Sequence, residues 1–155
     1  MLGALAGSVP FLRSLFRDHQ AARFIDVVNL HDYYEDWIDE PAEGVIDYVG
    51  RAGEIVDQFG HGQSLWVTRV GFSSYRHAEQ PAGSYQPCYA YERTRNHQAV
   101  RSLRTMVSLL STGRIETILW HEVRELMPET RVIERKELHQ LGIATSDLDD
   151  APALR

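Results

Sequence analysis

The sequence has very few residues that can form a covalent cross-link or act as a reactive amine. Cys88 is the single cysteine and Lys136 the single lysine among 155 residues. One cysteine excludes a disulfide within the chain, which is typical of a protein in the reducing cytoplasm. Residues 1–9 lack the basic start of a signal peptide. No apolar run approaches the ~20 residues that cross a bilayer, so we expect no membrane partner.

Positive charge is also scarce, which argues against nucleic acid as a partner. The chain carries 16 Lys+Arg against 22 Asp+Glu, a formal net charge of −6. A phosphate backbone attracts a basic surface, and this balance does not predict one. Four arginines fall close together between residues 93 and 104. A solvated helix face explains them, so we expect no nucleic-acid ligand.

Three common catalytic motifs are missing. In the stretch His121-Glu-Val-Arg-Glu125, a glutamate stands where the zinc-protease motif needs its second histidine. Gly60-His61-Gly62 lacks the third glycine of a dinucleotide-binding loop. The chain also has no Gly-x-Ser-x-Gly elbow. The sequence therefore predicts neither a metal site nor a cofactor.

The pattern that is present is an alternation of strands and helices. Residues 23–30 and 64–70 are short apolar runs typical of buried strands. Residues 44–59 and 96–111 repeat apolar residues at helical spacing, whereas 115–126 fit a strand and a helix equally well. This order predicts an α/β fold with a mostly parallel sheet and flanking helices, a Rossmann-like three-layer sandwich, and it leaves open whether the chain completes that sandwich.

The chain is predicted to have two parts. Leucines at roughly helical spacing predict an N-terminal amphipathic arm or helix over residues 1–22, with Pro10 near its first turn. This arm would dock on the α/β domain of residues 23–155 or on another subunit. Within that domain the pattern also predicts the following segments: a polar connection over 71–86, short strands at 89–91 and 132–133, and a capped helix start at 145–155.

The first predicted strand holds two polar residues in an apolar run. Asp26 and Asn29 interrupt the stretch from Phe24 to Leu30. A buried carboxylate needs a partner, and ligands of parallel sheets bind beyond the carboxyl ends of the strands. We therefore expect Asp26 and Asn29 near that end of the first strand, and Thr68 and Arg69 near that end of the second.

The order of these motifs resembles that of the isochorismatase-like cysteine hydrolases. Asp26-Val27-Val28-Asn29 is similar to the Asp-x-x-Asn of their first strand, and Thr68-Arg69 to the Thr-Arg pair that ends their second. The resemblance covers about two-thirds of the chain. Its later part consists of Pro128, the strand Val132-Ile133, Lys136, Thr145, Leu148 and Leu154-Arg155.

The resemblance implies roles for several residues. Asp26 would act as the base for a cysteine thiol, Lys136 would lower the pKa of that thiol, and Asn29, Thr68 and Arg69 would bind the ligand. The nucleophilic cysteine of the family follows a fourth strand, which would come after the end of this chain, and the chain's own cysteine lies before the long helix instead.

The missing nucleophile decides the functional prediction. We expect a non-catalytic or degenerate domain of the isochorismatase-like kind, which acts in binding or in subunit assembly. Such a domain would be a homo- or hetero-oligomer and could hold a small-molecule ligand. An active hydrolase of the same class is the first alternative.

A second alternative is a Mg²⁺-dependent nuclease. The stretch that contains Asp26 also resembles the first motif of the NYN/PIN-type nucleases, which gather several aspartates around the metal. Asp147, Asp149 and Pro152 are similar to a later motif of that family, although their middle motif has no counterpart here. An acidic first turn of a helix explains Asp147 and Asp149 as well.

Overall fold

The structure, a computed structural model, describes residues 1–6, 8–32, 41–72 and 95–121. Within them strands and helices alternate, as the sequence pattern predicts, with one short 3₁₀ turn at Ala21–Phe24. The elements in chain order are β1 (Leu5–Ala6), α1 (Val9–Arg17), β2 (Val27–Asp32), α2 (Gly44–Phe59), β3 (Ser64–Val70), α3 (Arg95–Ser111) and β4 (Ile115–Trp120).

The chain divides into two compact units. Unit 1 consists of Met1–Asp32, Glu43–Val70 and Thr105–Leu119, and unit 2 consists of Tyr33–Ala42, Gly71–Arg104 and Trp120–Arg155. Apart from Trp120, the whole sheet belongs to unit 1. Unit 1 therefore contains the core that surrounds the described sheet.

One sheet contains all four strands in the order β1-β2-β3-β4, which is also their order along the chain. β1 pairs with β2 and β2 pairs with β3, and both pairs are parallel. In these pairs Leu30 lies between Leu5 on one side and Val67 on the other. The predicted α/β class, with a mostly parallel sheet, flanking helices and Rossmann-like strand-helix-strand order, is confirmed.

The core of unit 1 lies between one face of the sheet and the first two helices. Side chains alternate between the two faces of a strand, and the apolar ones of β2 and β3 point to the same side. Helices α1 and α2 contact each other, so both lie on one side of the sheet. Fully burying one such apolar side chain contributes about 1.5–3 kcal/mol. Buried members of this core include Leu12, Phe16, Val28, Leu30, Val45, Tyr48, Val49, Ala52, Ile55, Leu65 and Val67.

The segment predicted as an N-terminal arm supplies β1 and α1 to unit 1. The Tyr48 hydroxyl donates a 2.7 Å hydrogen bond to the Leu5 carbonyl, and the Leu2 amide donates one of 3.0 Å to the Val27 carbonyl. Pro10 lies in the first turn of α1, as predicted. These contacts fix the segment on the sheet and on α2.

Strand β2 begins later than the sequence predicts. Residues 21–24 form a 3₁₀ turn instead of extended chain, because the Ile25 amide bonds to the Ala22 carbonyl at 3.1 Å. The Gln63 amide group donates a second bond to the same carbonyl at 2.8 Å. Asp26 consequently precedes the strand. The prediction that it lies near the carboxyl end was wrong.

The other predicted boundaries agree closely with the structure. Helix α2 and strand β3 have the predicted ends, and α3 begins at Arg95, one residue early. The undecided segment 115–126 begins with strand β4. The strands predicted at 89–91 and 132–133 and the helix start at 145–155 lie outside the described residues. No helix in the described stretches has both the length and the apolar character to span a membrane.

Helix α3 buries its polar side. Gln98 and Ser102 are at most 4% exposed and Thr105 is fully buried, while Val100 and Leu103, on the apolar side, are 57% and 64% exposed. In unit 2 the Gln98 amide group donates a 2.7 Å hydrogen bond to the Phe72 carbonyl. The predicted apolar stripe of this helix is therefore largely exposed.

Candidate functional site

The sheet has a polar face opposite helices α1 and α2. On β2 it carries Asn29, and on β3 it carries Trp66 and Thr68, because these residues alternate with the buried apolar ones. Most of the face is half-buried, in contrast to the fully buried side beneath the helices. We call this surface the polar face, and its members are Val27, Asn29, His31, Ser64, Trp66, Thr68, Arg69, Glu116 and Ile118.

Asn29 and Thr68, which the sequence predicts as ligand-binding residues, lie together on this face. The Thr68 hydroxyl donates a hydrogen bond to Asn29 Oδ1. Asn29 is only 6% exposed, so its side-chain oxygen depends on this donor. The bond fixes the position of one amide group and one hydroxyl near the carboxyl half of the sheet.

A register shift brings Arg69 opposite His31. Leu30 pairs with Val67, but the next residue of β2 pairs with Arg69, so Thr68 is the extra residue of a bulge. Bulges re-aim side chains and are over-represented next to active sites. Burial and, second, the positive charge of Arg69 lower the pKa of His31 below its ordinary value. A neutral imidazole thus lies near a guanidinium at the carboxyl end.

A different cluster lies at the amino end of the polar face. Trp66 Nε1 donates a 3.2 Å hydrogen bond to Glu116 Oε2, which joins β3 to β4. Hydrogen bonds from Ser64 and Trp66 lower the pKa of Glu116. This carboxylate is therefore ionised at neutral pH and already accepts two protein donors.

Asp32 is a buried carboxylate that sequence reasoning missed. It ends β2, pairs in register with Val70 and is 2% exposed. The predicted first strand ended at residue 30, so Asp32 was not expected within it. The available signal was the alternation of Val28 and Leu30, which continues to position 32.

The two carboxylates Asp32 and Glu116 cannot act as a pair on one ligand. Glu116 bonds to Trp66, whereas Asp32 lies opposite Val70, four residues further along β3. Four strand residues span about 13 Å, and Asp32 shares its face with Leu30, not with Trp66. Two carboxyl groups that act together on one bond lie only about 5–9.5 Å apart.

The predicted catalytic residues are not brought into this site by the described structure. Asp26 is exposed and precedes β2, at the end of the strand opposite to Arg69. Lys136 lies outside the described residues, as do Cys88, Asp147 and Asp149. In the described stretches no group of three His, Cys, Asp or Glu side chains could hold a metal ion.

Short segments lead into β3 and β4. Residues 60–63 join α2 to β3, and residues 112–114 join α3 to β4. Ligands of parallel sheets bind beyond the carboxyl ends of the strands, so the carboxyl end of the polar face is the better place for a ligand.

Comparisons with known proteins support the fold alone. No protein-family model matches the chain, and no curated protein matches it. Among solved structures, a GH2 β-galacturonidase from Eisenbergiella tayi bound to galacturonate is similar, with a TM-score of 0.57 and 15% identity over 83% of this chain and 22% of that one. A β-glucuronidase from Ruminococcus gnavus matches with a TM-score of 0.58 and 16% identity over 83% of this chain and 20% of that one.

A β-D-glucuronidase from Dictyoglomus thermophilum is similar to the same extent, with a TM-score of 0.58 and 14% identity over 84% of this chain and 21% of that one. The chain thus spans about a fifth of the length of these enzymes. The resemblance to isochorismatase-like hydrolases gains no support from the comparisons and stays a prediction.

Proposed function

We propose that this chain is a non-catalytic binding domain for a small, hydroxyl-rich carboxylate of the uronate type. The ligand would lie at the carboxyl end of the polar face. The proposal rests on one observation. Arg69 and His31 lie on the same side of two adjacent strands as a hydrogen-bonded pair, Asn29 and Thr68.

Each member of this group suits such a ligand chemically. A guanidinium binds a carboxylate through two parallel N–H···O bonds, and the bulge displaces Arg69 from the regular strand position. A neutral imidazole offers one donor and one acceptor to hydroxyl groups. The Asn29 amide nitrogen and the Thr68 hydroxyl provide further polar contacts beside it.

The solved structures favour this ligand class at the level of fold. One of them contains galacturonate, a sugar carboxylate, and the names of the others also refer to enzymes for uronic acid conjugates. Among the described residues, Asp32 and Glu116 lie too far apart to form the pair of carboxyl groups that glycoside hydrolysis takes, which supports binding in place of hydrolysis.

Calorimetric titration with glucuronate and with glucose tests the proposal. We expect glucuronate to bind more tightly than the neutral sugar. Arg69→Met should weaken glucuronate binding at least about tenfold, because a hydrogen bond to a charged group contributes about 1.5–3 kcal/mol. Arg69→Lys keeps the charge but loses the planar guanidinium that binds a carboxylate through two bonds. Its affinity for glucuronate should therefore lie between those of the parent and Arg69→Met.

Arg51→Met is the matched control. Arg51 lies on α2, where it is paired with Asp47 at 2.9 Å. Its loss removes the same charge from unit 1 without touching the polar face. Equal affinity for glucuronate and glucose, or an equal effect of the two methionine substitutions, would contradict the proposal.

A further inference from the structure

Helices α1 and α2 border a groove in unit 1, on the side of the sheet opposite the polar face. The groove has a volume of about 470 Å³, which is within the range of roughly 300–1,000 Å³ typical of sites for small organic ligands. Five of its lining residues belong to α1 and one belongs to α2. They are Val9, Pro10, Arg13, Ser14, Arg17 and Arg51.

The lining of this groove is basic, although the chain as a whole is acidic. Three of its six residues are arginines and none is an aspartate or a glutamate, whereas the formal net charge of the chain is −6. Val9 and Pro10 add apolar surface beside the guanidinium groups. The groove is therefore complementary to an anion that also carries an apolar group.

Arg13 has its guanidinium available for such an anion. Its Cζ lies 6.0 Å from the centroid of the Phe59 ring, and it makes no ion pair with a described residue. The ring contact holds the side chain against the end of α2, because a guanidinium is attracted to an aromatic face. The N–H donors at the edge of the guanidinium are left for a ligand.

Arg17 and Arg51 are each held by a carboxylate of the adjacent chain. Arg17 Nε and Nη2 donate to the Asp18 carboxylate at 2.7 and 3.2 Å, and Arg51 Nε lies 2.9 Å from Asp47 Oδ2. The two arginine side chains are 54% and 53% exposed. A guanidinium has five N–H donors, so these pairs orient both groups and leave donors that a ligand in the groove can use.

We propose that this groove binds a small phosphomonoester with an apolar group, such as an aryl phosphate. A phosphomonoester carries a charge of about −1.5 to −2 at pH 7 and has three acceptor oxygens. Arginines bind phosphate oxygens through paired N–H donors, so three guanidiniums suit this group better than they suit a single carboxylate. Val9 and Pro10 would contact the apolar part.

Calorimetric titration of the full chain with phenyl phosphate, inorganic phosphate and phenol tests the proposal. We expect phenyl phosphate to bind more tightly than either of the other two, because only this probe has both the charge and the apolar group. Equal binding of phenyl phosphate and inorganic phosphate, or of phenyl phosphate and phenol, would overturn it. A chain that binds glucuronate but not phenyl phosphate overturns this inference and leaves the uronate proposal intact.

Matched arginine substitutions locate the site. Arg13→Met should weaken phenyl phosphate binding about tenfold or more, because it removes hydrogen bonds to a charged group. Arg114→Met is the control, since Arg114 pairs with Asp57 at 2.8 Å and does not line the groove. Equal effects of the two substitutions, in variants that circular dichroism shows to be folded, would contradict the site.

NMR titration of the isotope-labelled parent gives a second measurement that needs no variant. Phenyl phosphate should shift the amide signals of Arg13, Ser14 and Arg51, and leave those of Asn29 and Thr68 on the polar face unchanged. Shifts confined to the polar face would place the anion there and overturn the inference.

Discussion

The Thr68 hydroxyl donates a hydrogen bond to Asn29 Oδ1 and so joins two adjacent parallel strands through their side chains. Strands β2 and β3 already share a backbone ladder, and this bond adds a polar link where the register shifts. It also places an amide nitrogen beside the bulge that carries Arg69. The proposed binding group is therefore built around this pair.

Removal of the Thr68 hydroxyl should destabilise the fold. Thr68→Val leaves the largely buried Asn29 oxygen without its donor, which costs about 1–3 kcal/mol. Thr68→Ser keeps the hydroxyl and should cost less. Urea denaturation of both variants measures the difference in free energy of unfolding. If valine and serine have the same effect, the hydrogen bond does not contribute.

The neighbourhood of His31 predicts a loss of stability in acid. Burial and the charge of Arg69 hold the folded pKa of His31 below its ordinary value. As the pH falls through about 6.5, the unfolded chain takes up a proton on this residue before the folded chain does. The contribution of His31 to stability is therefore present above that pH and is lost as the pH falls through the folded pKa.

Substitution of Arg69 should reduce this effect. Arg69→Met removes the second cause of the shift, so the folded pKa of His31 should rise toward its ordinary value. Proton NMR titration measures that pKa. Arg13→Met removes the same charge from α1 and serves as the control. An unchanged pKa of His31 in Arg69→Met would show that the two side chains do not interact.

The hydrogen bond that anchors β1 to α2 provides a further prediction. The buried Tyr48 hydroxyl donates to the Leu5 carbonyl, so Tyr48→Phe leaves that carbonyl without this donor. We expect the end of the sheet to loosen and the Leu2 amide, which bonds to the Val27 carbonyl, to exchange faster with deuterium. If Tyr48→Phe speeds exchange at Leu2, relative to the parent, no more than it does in the middle of α2, this result would argue against the anchor.

Gly53 on α2 lies against the side chain of Arg114. A methyl group on Gly53 would come within 2.7 Å of Arg114 Cδ and Nη1, while Arg114 Nη2 bonds to Asp57 at 2.8 Å. Alanine in a helix is about 1 kcal/mol better than glycine. Gly53→Ala should therefore stabilise the Arg114→Ala variant by about that amount and the parent by less. Equal gains in the two backgrounds, measured by urea denaturation, would contradict this contact.

Local sequence signals were enough for much of the fold. The end of α2 and the start of β3 were predicted correctly because Gly60 and its neighbours separate the helical spacing from the apolar run. The start of β2 was not, because the 3₁₀ turn depends on a bond from Gln63, 41 residues away from Ala22. A bond from such a distant side chain cannot be predicted from the local sequence pattern.

The site was only partly predictable for a related reason. Thr68 and Arg69 were expected near the carboxyl end of β3 and lie there, while Asn29 bonds to Thr68 from the middle of β2. His31 and Glu116 were missed, because their environments depend on strand register and on which strand lies beside β3. The outward apolar side of α3 was equally hidden, since helical spacing does not tell which side is covered.

The most direct test of the binding account is to map glucuronate on the isotope-labelled chain by NMR. The account predicts that the amide signals of Asn29, His31 and Thr68–Val70 shift on titration, while those of Ser64 and Glu116 at the amino end do not. Shifts confined to the amino end, or no shifts at glucuronate concentrations that saturate calorimetric binding, would contradict it.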